Sequence, residues 1–140
     1  IDELYFLATH GGVTFGGGEP ALQSNFISEF RRLCGTGWKI TIETSLNVPQ
    51  ENIERLLPMV DCYIVDIKDM NNDRYETYTG KSNTRVIENL RWLVIQGKAK
   101  QITVRVPHIP SYNTETDIEN SIHQLKEIGL SDFDRFTYRT

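Results

Sequence analysis

Four groups of side chains have the types and spacing to share a chemistry. Gly16-Gly17-Gly18 runs directly into Glu19, Glu43 stands in ITIETS, Asp66 and Lys68 stand two apart in DIKDM, and Arg105 stands in VRVPHIPSYN. Glycines admit positive φ and let a ligand approach the backbone closely, with the Glu19 carboxylate beside them. Strand side chains alternate with period two, so Asp66 and Lys68 point to the same face, where an acid and a base grip the two ends of an amino acid. Alone, that pair reads more simply as an ion pair capping a strand; beside Glu19 and Glu43 it points to a site. The planar fork of Arg105 suits bidentate binding of an anion.

Other chemistries are weaker fits. Five of the ten glycines fall between Gly11 and Gly18, yet the run is not followed by Lys-Ser/Thr and contains no GxGxxG, which excludes the common phosphate loops. Cys34 and Cys62 lie 28 positions apart without a CxxC partner, a spacing of neither a disulfide framework nor a metal site, and both read as small buried apolar residues. His123 reads as a surface residue in a helix, while His10 and His108 fall in loops that could line a cleft; none has a second ligand at metal spacing. Two alternatives stay open: Glu43 and Asp66 as oxygen ligands for Mg2+ with Lys68 as general base, or a barrel used only as a binding module.

These residues need elements to hold them. Short β-branched runs alternate with stretches of helical period, the signature of parallel strands joined by crossover helices, so the fold class is α/β. Strands are expected at 13–16, 38–44, 61–68, 102–106 and 133–138. Helices are expected at 21–33, 50–57, 84–95 and 114–128, with a shorter one within 72–79. Leu22, Phe26, Ile27, Phe30 and Leu33 form the apolar stripe of the first helix. IDELYF reads as the end of a helix preceding the glycine-rich run. The charged residues then fall at the ends of consecutive strands, the edge where parallel α/β folds bind ligands. Five strands are too few for an eight-fold barrel of about 250 residues, which leaves an open sheet or part of a barrel.

Composition bounds the rest. The 140 residues fit one domain spanning 1–140, and 39% hydrophobic with 24% charged residues describes a folded globular chain. Fifteen Lys and Arg against nineteen Asp and Glu give a net charge of -4, which leaves no basic footprint for nucleic acid or an anionic membrane. No apolar run nears the roughly 20 residues that cross a bilayer, and no export signal is legible, so the cytoplasm is the expected compartment.

In order along the chain stand GGVTFGGGEPALQ, ITIETS, DIKDM, YTGKSN, ENLRWL and VRVPHIPSYN. The series resembles the glycyl-radical-enzyme activating enzymes of the radical S-adenosylmethionine (SAM) superfamily, typified by pyruvate formate-lyase activating enzyme, over nearly all of the chain. The resemblance implies a partial parallel (β/α)6 barrel of which this chain supplies the second to sixth strands, the first being absent together with the CxxxCxxC loop that holds a [4Fe-4S] cluster. Neither Cys34 nor Cys62 replaces that loop, since such a cluster needs several thiolates in one place, so the fragment alone is expected to be inactive.

The implied activity is cluster-driven reduction of SAM to a 5'-deoxyadenosyl radical that abstracts hydrogen from a glycine of a partner enzyme such as pyruvate formate-lyase, with flavodoxin or ferredoxin as electron donor. By the same resemblance, Gly17, Gly18 and Glu19 receive the SAM ammonium group, and Glu43 is associated with the ribose and a nearby monovalent cation. Asp66 and Lys68 lie near the amino and carboxylate groups, and Arg105 is the cavity-facing catalytic residue. The sequence departs from the family pattern at Gly16, where Ser or Thr is frequent, at Leu46, where Gly or Asn-Gly is common, and at Ser111, where PGYN is usual.

Overall fold

Side-chain alternation in the strands becomes the two faces of one sheet. The computed structural model describes residues 4–9, 12–35 and 37–137. On β2 (Gly12–Gly17), β3 (Lys39–Thr44), β4 (Cys62–Asp66) and β5 (Ile102–His108), Phe15, Ile42, Tyr63 and Val104 are fully buried. The alternate positions Thr14, Glu43, Ile64, Asp66 and Arg105 are half-exposed. Strands covered by helices on one face and open on the other give this pattern. The alternation continues past the end of β4, so Ile67 is buried and Lys68 stays on the open face with Asp66.

The sheet has six strands in sequence order, with β1 (Leu4–Thr9) and β6 (Phe133–Thr137) at its edges. From β2 to β6 every neighbouring pair is parallel, so the five expected parallel strands are present. The reading of IDELYF as a helix end is corrected: Leu4–Thr9 is a strand, antiparallel to β2, running from Leu4 opposite Gly17 to Thr9 opposite Gly12. Its aromatic and β-branched residues favour strand, and it covers a sheet edge that would otherwise be unpaired. The glycine-rich run thus follows a strand rather than a helix.

The crossover helices are α1 (Ser24–Cys34), α2 (Gln50–Leu56), α3 (Asn72–Thr79), α4 (Thr84–Ile95) and α5 (Glu115–Ile128). α1 begins later than its sequence period suggests, because Pro20–Gln23 forms a 3-10 turn capped by Glu19. Its apolar stripe is also narrower. Ile27 is fully buried, whereas Leu22 and Leu33 are 56% and 71% exposed. Phe26 and Phe30 meet Phe15 edge-on, with ring centroids 6.0 and 5.3 Å apart, and such pairs add about 0.5–1.5 kcal/mol to simple burial. α5 opens on a reciprocal cap between Thr114 and Asp117 and closes at Gly129. Among the described residues no helix is long and apolar enough to cross a membrane.

Candidate functional site

Parallel topology gathers the C-terminal ends of β2 to β5 along one edge, so whatever terminates those strands is brought together. β2 ends at Gly17, whose φ of 90° is a conformation that L side chains rarely adopt. The chain then turns through Gly18 and Glu19 into the Pro20–Gln23 turn. At this edge lies a cleft of about 310 Å3 lined by Gly17, Gly18, Glu19, Glu43, Thr44, Ser45, Ile64, Asp66, Lys68 and Arg105. Every candidate taken from the strand-end and glycine patterns, from Gly17 to Arg105, therefore lies in one place.

The side chains divide into a clamp and two ion-pair groups. The Glu19 carboxylate forms the clamp. Its Oε2 accepts from the Ala21 amide at 3.0 Å and the Thr44 hydroxyl at 2.7 Å; its Oε1 accepts from the Ser45 amide at 2.8 Å and the Ser45 hydroxyl at 2.6 Å. A carboxylate offers about four lone-pair positions, and these four donors use them. Glu19 therefore ties the β2 turn to the β3 turn.

Lys68 Nζ lies 2.8 Å from Asp66 Oδ2, with both side chains partly exposed. Water screens such a pair, so its contribution to stability is small, about 0–1 kcal/mol. Arg105 stands between two carboxylates, with Nη1 3.5 Å from Glu43 Oε2 and Nε 3.5 Å from Asp134 Oδ2. These separations exceed those of a bidentate fork, so Arg105 is held by charge rather than by short hydrogen bonds.

Thr44 and Ser45, which line the cleft, and Asp134, which meets Arg105, are neighbours of the candidate residues that sequence reasoning missed. The hydroxyls beside Glu43 carry no spacing signal, and Asp134 reaches Arg105 only because the β5–β6 register places them opposite each other. Behind the cleft, Asp69 is buried, with Oδ1 accepting from the Asn71 amide at 2.8 Å and from Ser121 Oγ at 3.3 Å. Burial raises its pKa above the usual carboxylate value, and these hydrogen bonds and the nearby Arg74 only partly offset that. Burial likewise raises the pKa of the Tyr75 phenol, to which Asn47 donates at 3.1 Å.

Several expectations fall elsewhere. His108 closes β5, half-buried, and does not line the cleft; His123 is exposed and 2.9 Å from Glu127; His10 lies outside the described residues. Cys34 and Cys62 are half-buried rather than buried, and both are free thiols. Cys34 ends α1 and Cys62 begins β4, which puts both at the sheet edge opposite the cleft. They do not fit an iron–sulfur cluster at this site. Glu43 and Asp66 each face a cation, and among the described residues no group of three or more His, Cys, Asp or Glu gathers as a metal-ligand set. The donor set does not favour the Mg2+ alternative.

A sequence profile described as the radical SAM superfamily matches residues 1–125. The chain belongs to the radical SAM superfamily. The (2S)-3-sulfopropanediol dehydratase activating enzyme of Klebsiella oxytoca is 36% identical over 131 residues, which cover 91% of this chain and 41% of that protein. The 4-hydroxyphenylacetate decarboxylase activating enzyme of Clostridioides difficile is 34% identical over 134 residues, covering 91% and 42%. The chain spans well under half the length of these curated relatives.

Among solved structures, a domain of pyruvate-formate lyase-activating enzyme from Bacteroides vulgatus superposes with a TM-score of 0.60 at 20% identity, over 89% of this chain and 98% of that domain. Coproporphyrinogen III oxidase from Escherichia coli, a radical SAM enzyme, gives a TM-score of 0.72 at 14% identity, over 92% and 32%. At such identities the likeness establishes the fold, a radical SAM partial barrel, and the superfamily implies SAM and a [4Fe-4S] cluster as its cofactors.

Proposed function

We propose that this chain forms the SAM-binding face of an activating enzyme whose protein substrate is a glycyl radical enzyme. The observation that carries the reading is the convergence of Gly17, Gly18, Glu19, Glu43, Asp66, Lys68 and Arg105 on one cleft. The two relatives described above, both activating enzymes, support it. Bound there and given one electron, SAM would supply the hydrogen-abstracting chemistry that acts on a glycine, leaving as methionine and 5'-deoxyadenosine.

The chain's own residues bind and orient. Gly17 and Gly18 carry no side chains, so a ligand ammonium reaches the backbone there. Glu19 adds negative potential and fixes the shape of that backbone. Asp66 and Lys68 present opposite charges two residues apart, matching the ammonium and carboxylate ends of an amino-acid moiety. Glu43 takes the ribose side, and Arg105 faces the incoming carboxylate or peptide as the catalytic-side cation. The [4Fe-4S] cluster is held by none of these residues. Pyruvate formate-lyase is one candidate among the protein substrates, flavodoxin or ferredoxin fits the electron donor, and the reaction is cytoplasmic.

Calorimetric titration of SAM and, separately, of Mg2+ into the protein tests the reading. One saturating SAM site with no heat from Mg2+ is expected. Tight Mg2+ binding with no response to SAM would overturn it in favour of metal-assisted chemistry at Glu43 and Asp66.

A further inference from the structure

Leu46 is a fully buried residue held at φ 59°, a left-handed conformation unusual for an L side chain. It follows Thr44 and Ser45, which line the cleft and supply three of the four hydrogen bonds to Glu19. Its amide donates to Thr44 Oγ1 at 3.0 Å. The turn is held from behind by Asn89, in the middle of α4 and 2% exposed. Asn89 Nδ2 donates to the carbonyls of Leu46 at 2.8 Å and Val48 at 2.9 Å.

We propose that Asn89 is a positioning residue of the SAM site, holding the Leu46 turn in the geometry that lets Thr44 and Ser45 clamp Glu19. This rests on the functional reading above. A primary amide carries two hydrogens in one plane, so it serves two carbonyls at once, which a hydroxyl does not. Without it, two buried carbonyls lose their donor and the turn gains by relaxing Leu46 to negative φ. That rotation carries the Ser45 amide away from Glu19 and releases the Gly17-Gly18 backbone. The linkage runs from a helix outside the cleft lining to the cleft through one strained residue.

The test measures SAM affinity by calorimetry for wild type, Asn89→Leu and Leu125→Ala, at a temperature where circular dichroism shows each folded. Leu125 is fully buried on α5, so its truncation lowers stability without touching the turn. Asn89→Leu is expected to weaken SAM binding by about tenfold or more, and Leu125→Ala to stay within about twofold of wild type. An Asn89→Leu affinity within about twofold of wild type, or an equal loss in Leu125→Ala, would overturn the proposal.

Should Asn89→Leu not fold, the side-chain amide resonances of Asn89 in wild type give the answer. They should shift on SAM addition, and their remaining unchanged at saturation would overturn it. A wild type that binds no SAM would instead overturn the functional reading and take this inference with it.

Discussion

Glu19 holds Ser45 twice, accepting from its amide at 2.8 Å and from its hydroxyl at 2.6 Å. The contact crosses from the turn after β2 to the turn after β3, so the two cleft-lining turns are tied together. It also changes what the carboxylate can do. With Thr44 and Ala21 on its other oxygen, Glu19 shapes the glycine backbone and contributes charge, and direct acceptors for a ligand ammonium are left to main-chain carbonyls and Asp66.

Glu19→Gln tests that role. The amide keeps one acceptor oxygen but turns an NH2 group toward two donors, leaving them unpaired. The variant should lose about 1–3 kcal/mol of stability in urea unfolding and bind SAM more weakly. An unchanged unfolding midpoint would show that the four hydrogen bonds do not form in solution.

Lys68→Ala removes a cleft-lining ammonium, 2.8 Å from Asp66. Loss of a charge-assisted contact to the SAM carboxylate should weaken binding by about 1.5–3 kcal/mol. Because the Asp66–Lys68 pair is partly exposed, stability should change by less than about 1 kcal/mol. Equal SAM affinity in the two proteins would remove Lys68 from the site.

Asp69 predicts a pH dependence. Burial raises its folded-state pKa, so between the ordinary carboxylate value and the raised one the folded chain binds more protons than the unfolded chain. Stability contributed by this group therefore falls as pH rises through that window. Asp69→Asn keeps an oxygen for the Asn71 amide and Ser121 hydroxyl without the buried charge. It should gain stability over wild type above the window and lose that gain below it, as read by urea unfolding at several pH values. A wild type that gains on the variant as pH rises would contradict the assignment.

The two departures from the family's glycine-containing turns, Leu46 and Ser111, are the non-glycine residues with positive φ among those described, at 59° and 71°. Ser111 is exposed, so Ser111→Gly removes strain at no packing cost and should stabilise by about 0.5–1 kcal/mol. Leu46 is fully buried, so Leu46→Gly trades strain for a cavity and should destabilise by about 2–4 kcal/mol. Thermal melts of the pair separate the two effects by sign.

That contrast shows how far the sequence could be read. The alternation of Ile40 and Ile42 with Thr41 and Glu43 was enough to place a strand and to aim Glu43 at the open face, and the two-residue spacing of Asp66 and Lys68 put both on that face. The glycine run marked the β2 turn. What the sequence withheld depends on partners far along the chain. Leu4–Thr9 becomes a strand because β2 offers it an edge. Leu22 stays exposed where a 3-10 turn at Pro20 replaces the first helical turn expected there. Asp134 meets Arg105 through sheet register, and Asn89 reaches the Leu46 turn across 43 positions. Local period carries no trace of such pairings.

Amide chemical-shift mapping of SAM on the isotope-labelled protein tests the central claim most directly. Saturable backbone shifts at residues 17–19, 43–46, 66–68 and 105 are predicted, with the Asn89 side-chain amide shifting alongside them. Backbone shifts centred away from the cleft, or none at saturating SAM, would contradict the account.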